Sequence, residues 1–300
     1  MSRFQELFAQ LSQSQNRTIA VANAQGKEVL SALKQAQELI GISAFLLGKE
    51  EEIRQMMAEI SMREDNVTVL DYPDAEECAL AAVKLVRNGT ADILMKGMID
   101  SGIFLKAVIH PDFGLRTESG IIATVAVMET ERGFLFITDP GFTPLPSLHQ
   151  KELLVEQTVQ VAKKLGIERP KVAIISGAEK VNRKMSSSVE ADKLKQMYRQ
   201  KDIGCVVDGP LSLDIAVSQE AAFHKNYCGE IRGDADILIM PSLEAGNVLY
   251  KSMVHFAHIP TGGIVTGAAA PIVFTSRSDD AATKLNTIAF ACALAKEICL

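Results

Sequence analysis

Near the end of the chain an apolar run, Pro271-Ile-Val-Phe-Thr275, stops abruptly in Ser276, Arg277, Ser278, Asp279 and Asp280, and a helical pattern begins directly after it. Hydroxyls, one guanidinium and two carboxylates at a strand-to-helix turn are the ingredients of an anion site. The first N–H groups of a helix lack intrahelical partners and its dipole places roughly half a positive charge there, so a phosphate gains both hydrogen bonds and a favourable field. Arg277 adds a planar, permanently charged fork. Thr, Ser and Asp are equally what helix caps use, and taken alone the stretch reads as well as a cap.

Four further places collect polar groups after an apolar run. In Met95-Lys-Gly-Met-Ile-Asp-Ser-Gly102, Gly97 lets a backbone approach a ligand beside Lys96, and Asp100 or Ser101 could cap the next helix. Lys106, one turn inside that helix, and Arg116 beyond it could supply positive charge, although Lys106 by itself reads as solvated surface. Ser176 opens a loop carrying Lys180, Arg183, Lys184 and three more serines, which could grip phosphate or simply be a mobile surface loop. Val207-Asp-Gly-Pro-Leu-Ser-Leu-Asp214 reads as a Gly209–Pro210 turn and a cap, or as a place where Asp208 or Asp214 orients a hydroxyl or acts as a base. In the block from Met240 to Lys251, Ser242, Glu244 and Asn247 begin a helix, and Ala245 and Gly246 leave room for something to press against it.

What is missing narrows the chemistry. No phosphate-cradling G-x-x-x-x-G-K-[ST], no G-x-G-x-x-G and no G-x-S-x-G occurs, so ATP hydrolysis, ordinary dinucleotide binding and serine-hydrolase chemistry lose their support. His255 and His258 lie three apart without a third ligand in sequence, and they read as structural; no metal site is expected. A net charge of −6, no Trp and only 5% aromatic residues argue against nucleic acid and against a base-stacking surface. Five cysteines without a C-x-x-C pair fit reduced, packed thiols. No apolar run reaches the roughly 18 residues of a membrane span, and the amphipathic start lacks a signal core, so a cytoplasmic location is expected.

These residues need a scaffold, and the hydrophobic pattern supplies one. With 300 residues and 47% hydrophobic content the chain can bury a full core. Short apolar runs at 42–47, 67–70, 93–95, 121–128, 134–138, 172–175, 205–207, 237–240 and 263–265 read as strands, with helical spacing between most of them. That order predicts an α/β fold with a mainly parallel sheet, and the short link 129–133 predicts one antiparallel hairpin. The predicted lobes are 1–117 with 267–300 and, inserted between them, 118–266, with ligands at strand carboxyl ends in the cleft.

Four of these blocks, in order and far apart, resemble the phosphate acetyl/butyryl transferase family, its butyryl branch in particular: 93–100 with 104–108 and 114–117, then 207–216, 243–251 and 271–280. The resemblance runs from about Ile42 to the end. It implies a two-lobed α/β/α sandwich like that of isocitrate and isopropylmalate dehydrogenases, a cytoplasmic homodimer or higher homo-oligomer, and no prosthetic group. It implies the reaction acyl-CoA plus phosphate giving acyl phosphate plus CoA, with Arg277 holding the phosphoryl group, Ser276 bonding the reacting group and Asp279 or Asp280 as base towards the CoA thiol. Lys96, Gly97, Lys106, Arg116, Ser176, Asp208, Gly209, Asp214, Ser242, Asn247 and Lys251 are its candidate phosphate and CoA contacts. Lys106 stands where the acetyl branch has arginine, and Ser278-Asp279-Asp280 stands where that branch has a glycine-cysteine pair and a more distant acid; the shorter form is the butyryl one. The alternatives are the acetyl branch, a metal-dependent hydroxy-acid dehydrogenase on the same fold, and a non-catalytic acyl-CoA sensor.

Overall fold

The structure is a computed structural model that describes residues 2–14, 16–118, 120–276 and 279–295. The chain divides into two compact units, Met1–Gly120 with Thr261–Leu300, and Ile121–Pro260. Elements are numbered along the chain.

In the first unit the strands are β1 (Thr18–Ala22), β2 (Ser43–Gly48), β3 (Val67–Asp71), β4 (Ile93–Lys96), β10 (Thr261–Thr266) and β11 (Ile272–Val273). They lie in the order β3-β2-β1-β4-β11-β10, all neighbours parallel except the antiparallel pair β10 and β11. Central parallel strands are covered on both faces and therefore read as unbroken apolar runs. That explains β1, whose Ile19, Ala20, Val21 and Ala22 are wholly buried; its five small residues carry too little pattern to announce a strand, and none is predicted there. Around the sheet run α1 (Arg3–Leu11), α2 (Lys27–Ile40), α3 (Glu50–Glu59), α4 (Ala75–Arg87), α5 (Ser101–Val108) and α11 (Ala281–Leu294). The buried face of α2 is Val29, Leu30, Ala32, Leu33, Ala36 and Ile40, and Gly41 ends the helix in a left-handed conformation that glycine adopts without strain. Helix α11 is buried almost all round and packs on β10 and α2, as expected of a helix without a polar face.

The second unit contains β5 (Ala123–Thr130), β6 (Gly133–Thr138), β7 (Lys171–Ile175), β8 (Val206–Leu211) and β9 (Ile237–Ile239) in the order β5-β6-β9-β7-β8. The hairpin β5–β6 is antiparallel and the remaining pairs are parallel. Its helices are α6 (Leu148–Lys164), α7 (Ser186–Gln200), α8 (Leu213–Val217), α9 (Gln219–His224) and α10 (Leu243–His255). A reciprocal cap between Ser147 and Gln150 starts α6. Helices α8 and α9 have 5 and 6 residues, too few for a periodic signal, and are not predicted.

Two expectations need correction. Gly209 and Pro210 lie within β8 and not in a turn after it; β8 is the last strand in its order, an edge position where a proline's missing N–H breaks no ladder. The segment 261–266, expected in the inserted lobe, belongs to the first unit as β10, because it pairs with β11 and carries α11.

Candidate active site

In the first unit three adjacent parallel strands, β1, β4 and β11, end side by side, with Ala22 opposite Lys96 and Met95 opposite Val273. The chain leaving β4 crosses the end of β1: the Gly97 and Met98 N–H groups donate to the Ala22 and Asn23 carbonyls at 2.9 and 2.7 Å. A Cβ on Gly97 would fall 2.1 Å from the Asn23 carbonyl oxygen, so the crossing admits only glycine. Lys96 is 2% exposed; its ammonium lies 5.6 Å from the centroid of the Phe274 ring, which packs against Phe104 of α5 at 5.9 Å. Asn23 has a left-handed backbone, and its Oδ1 and the Oε1 of Gln25 are buried without hydrogen-bond partners among the described residues. Polar capacity is therefore unused at the end of β1.

The turn after β11 closes on itself. Asp279 accepts the Ser276 N–H at 2.7 Å through Oδ2, and its own N–H donates to the Ser276 carbonyl at 3.2 Å. Asp280 caps α11, accepting the Thr283 N–H at 2.8 Å through Oδ1. Arg277, the cation expected to hold phosphate, lies outside the described residues, as does Ser278. Ser276 is exposed at the same sheet edge as Lys96 and Gly97. Asp100 caps α5 by accepting from the Gly102 and Ile103 N–H groups. Lys106 is a surface side chain 3.3 Å from Glu76, and Arg116 is exposed where its backbone bridges Ala268.

The second unit gathers another set of strand ends. β6, β9, β7 and β8 are parallel neighbours, so Asp139, Met240, Ser176 and Ser212 follow one another along one edge. Asp139 organises this edge. Its carboxylate is 2% exposed and accepts four backbone N–H groups, from Thr124 at 3.0, Gly141 at 2.9, Phe142 at 3.2 and Thr143 at 2.8 Å. Asn247 donates from its side chain to the Pro140 carbonyl at 3.1 Å, and Gly246 lets α10 approach that loop closely. Ser242 caps α10 through the Ala245 N–H. Ser176 is buried and bonded to Ser187 at 3.0 Å.

Asp208 and Asp214, paired as candidates by sequence, have different fates. Asp208 has no exposed surface, and its oxygens are taken by Lys195 at 2.6 Å, the Gly209 and Ile231 N–H groups and the Tyr227 hydroxyl. It therefore holds the fold and offers nothing to a ligand. Gly209 lines a cavity of about 660 Å³ beside it, where Lys180, Lys195, Arg199 and Arg232 face Glu179, Asp192 and Glu230. Asp214 is half-exposed and bonded to Ser212 at 2.6 Å and Lys225 at 2.9 Å, which hold its carboxyl down at about 2. Lys251 is exposed late in α10, away from that helix's first turn.

Asp139 and Lys284, a buried lysine that donates to the Ser276 and Asp279 carbonyls, were missed by sequence reasoning. The signals were there: an Asp-Pro-Gly turn directly after β6, and a lone charged side chain in a helix of otherwise uncharged residues. Burial pushes the thiols of Cys78 and Cys205 up to about 11 and that of Cys292 up to about 12, so none is a reactive thiolate at neutral pH. Cys299 lies outside the described residues. Among the described residues no group of three or more His, Cys, Asp or Glu could hold a metal ion, and no helix is long and apolar enough to cross a membrane.

Parallel strands delivering polar turns to their carboxyl edges in each of two α/β units define an enzyme of the open-sheet α/β class. Residues 74–292 match the family described as phosphate acetyl/butaryl transferase. A phosphate butyryltransferase of Clostridium acetobutylicum is 42% identical over 295 residues, covering 97% of this chain and 98% of that one. The solved structure of a branched-chain phosphotransacylase from Enterococcus faecalis V583 superposes with a TM-score of 0.86 at 34% identity, over 94% of this chain and 99% of the other. At 14% identity and a TM-score of 0.57, a 4-hydroxythreonine-4-phosphate dehydrogenase from Klebsiella pneumoniae shares the fold alone, over 93% of this chain and 100% of that one. The chain belongs to the phosphate acetyl/butaryl transferase family and is an acyltransferase.

Proposed function

We propose that this protein moves a short acyl group reversibly between CoA and inorganic phosphate, with butyryl-CoA plus phosphate giving butyryl phosphate plus CoA. The observation that carries this reading is the adjacency of β4 and β11, which sets Lys96, Gly97 and Ser276 at one sheet edge within a chain of this family. Phosphate binds there, held by Arg277, the Ser276 hydroxyl and the field of the buried Lys96 ammonium. In the direction of acyl phosphate synthesis a phosphate oxygen attacks the thioester carbonyl, the C–S bond breaks, and CoA leaves as thiolate and takes a proton. In reverse the CoA thiol loses its proton to a carboxylate and attacks the acyl phosphate carbonyl, expelling phosphate. A thiol with an ordinary pKa of about 8.5 is mostly protonated at neutral pH, so a positioned carboxylate increases the reactive fraction. Asp280 suits this role better than Asp279: it is exposed and caps α11 through Oδ1, leaving Oδ2 for a proton, whereas Asp279 closes the Ser276 turn. Each donor aimed at the developing oxyanion contributes on the order of 3 kcal/mol.

CoA is substrate and product, and the chemistry asks for no prosthetic group. The protein works in the cytoplasm as a homo-oligomer. Support for assembly comes from α10, in which Gly246 is the one buried residue while Val248 is 64% exposed, with Phe256 just beyond it at 85%. The test of function is CoA release from butyryl-CoA in phosphate buffer containing a chelator, with acetyl-CoA alongside to separate the two branches. Turnover with neither acyl-CoA, nor with branched or valeryl chains, rejects the reading. Asp280→Asn should lower the rate from acyl phosphate and CoA by about 100-fold, and an unchanged rate removes that residue's role.

A further inference from the structure

The cavity of about 660 Å³ beside Asp208 lies wholly within the second unit, walled by Gly209 and Pro210 of β8, by one face of α7 and by the loop 227–232. That volume falls in the range of about 300–1,000 Å³ that small-molecule sites occupy. One side of it is rigidly built. Asp208, with no exposed surface, binds Lys195 of α7 at 2.6 Å, the Tyr227 hydroxyl at 3.1 Å and the Ile231 N–H at 3.1 Å. Gly229 passes so close to them that a Cβ there would fall 2.4 Å from Asp208 Oδ2 and from the Tyr227 ring.

The charges around the cavity divide into spent and unspent. Lys195 is spent on Asp208, and Glu179 on Lys225 at 2.7 Å and the Ser212 hydroxyl at 2.7 Å. Lys180, Arg199 and Arg232 also line it, and among the described residues their side chains have no hydrogen-bond or ion-pair partner. They come from the loop after β7, from α7 and from the loop after α9, so folding gathers three cations around one space against their mutual repulsion. Glu230 likewise has no partner among the described residues, and Asp192 accepts the Gln196 amide at 2.6 Å.

Unspent cations suit a chain of phosphates, to which arginine presents a planar fork. Two carboxylates in the same space would repel a bare polyphosphate; they accept instead from hydroxyl or amino groups, as acidic side chains accept from ribose hydroxyls in dinucleotide sites. Tyr227 adds an aromatic ring to the lining. We propose that this cavity binds a nucleoside di- or triphosphate, its phosphates held by Lys180, Arg199 and Arg232 and its ribose or base donors by Glu230 and Asp192, at a site separate from that of acyl-CoA. The exposed thiol of Cys228 lines the same cavity and reports its occupancy.

The test is iodoacetamide labelling of Cys228 in the full-length protein, read by peptide mapping, with titration calorimetry alongside. The probes are ATP, inorganic tripolyphosphate and adenosine in phosphate-free buffer containing a chelator, and none of the readouts needs turnover. At about ten times its Kd, ATP is expected to slow labelling about tenfold. Tripolyphosphate should bind about tenfold more weakly, and adenosine should give no protection at the same concentration. Arg199→Gln and Arg232→Gln, at exposed positions that leave the core untouched, should each weaken ATP binding about tenfold. Glu230→Gln should weaken ATP and strengthen tripolyphosphate, and saturating butyryl-CoA should leave the protection by ATP in place. Absence of protection by ATP overturns the proposal, as does protection that survives both arginine substitutions undiminished. Tripolyphosphate or adenosine binding as tightly as ATP removes the nucleoside phosphate as ligand, and loss of protection under saturating butyryl-CoA removes the separate site.

Discussion

Asp139→Asn is the sharpest probe of how the second unit builds its strand edge. The substitution preserves volume and shape, and changes only the charge and one acceptor. Three of the four N–H groups, from Thr124, Gly141 and Phe142, converge on Oδ1, and the fourth, from Thr143, binds Oδ2. With the amide oxygen in the Oδ1 position three bonds persist as neutral ones. Bonds to an ionised acceptor contribute about 1.5–3 kcal/mol and neutral ones about 0.5–1.5, so each of the three loses about 1 kcal/mol. The fourth is replaced by two N–H groups facing each other, at a cost of about 1–3 kcal/mol for the stranded donor. Bonds to one carboxylate are not independent, which brings the expected loss to about 4 kcal/mol. Urea unfolding followed by tyrosine fluorescence and far-UV circular dichroism reads this out. With an m-value of about 2 kcal/mol/M, the transition that reports on 121–260 should move by about 2 M. A shift below about 0.3 M at unchanged m would refute the argument that these four bonds hold the edge, since it would leave each with almost no net effect.

Three more outcomes follow from particular contacts. Gly97→Ala forces a Cβ to 2.1 Å from the Asn23 carbonyl oxygen, against backbone that has nowhere to go; expected are a drop of about 2–3 kcal/mol in stability and a fall in phosphate-dependent turnover, and a variant as active and stable as wild type contradicts the described crossing. Asp214, with a folded-state carboxyl held at about 2 by Ser212 and Lys225, contributes stability that is present above its unfolded pKa of about 3.9 and is lost as pH falls through about 2. The carboxylate is half-exposed, so the contribution is at most about 1 kcal/mol, and acid titrations of wild type and Asp214→Asn should converge below pH of about 2. Iodoacetamide at neutral pH should label exposed Cys228 well before Cys78 or Cys292, whose thiols burial pushes up to about 11 and 12; peptide mapping that finds Cys292 labelled first removes the argument.

How much of this was legible in the chain varies with the length of the pattern. Helices such as α2 and α6 repeat buried side chains over 14 and 17 residues, and the sequence carries that repeat openly. β1 shows the opposite case: five residues, the last four wholly buried, with alanines where a partly exposed strand would show alternation. The site divides in the same way. Ser276 and Lys96 stand out because hydroxyls and a cation directly follow apolar strands. Asp208 stands out for the same reason, yet it is consumed by Lys195, Tyr227 and the Ile231 N–H, which come from other parts of the chain, and by the N–H of the adjacent Gly209.

Local pattern by itself determined the class of the fold, the antiparallel hairpin and the polar turns that follow the strands, because periodicity and turn chemistry act over a few neighbouring residues. Ordered blocks of sequence determined the family. Only the tertiary structure decided which polar groups are buried and spent on the protein itself, as with Asp208 and Asp139, and that Ser276 lies at an exposed strand end. It alone revealed the buried Lys284 donating to the Ser276 and Asp279 carbonyls. The physical reason is that hydrogen-bond partners are supplied by strand order and helix packing, across separations of 13 residues for Lys195 and Asp208, and of 107 for Asn247 and Pro140, that no local pattern records.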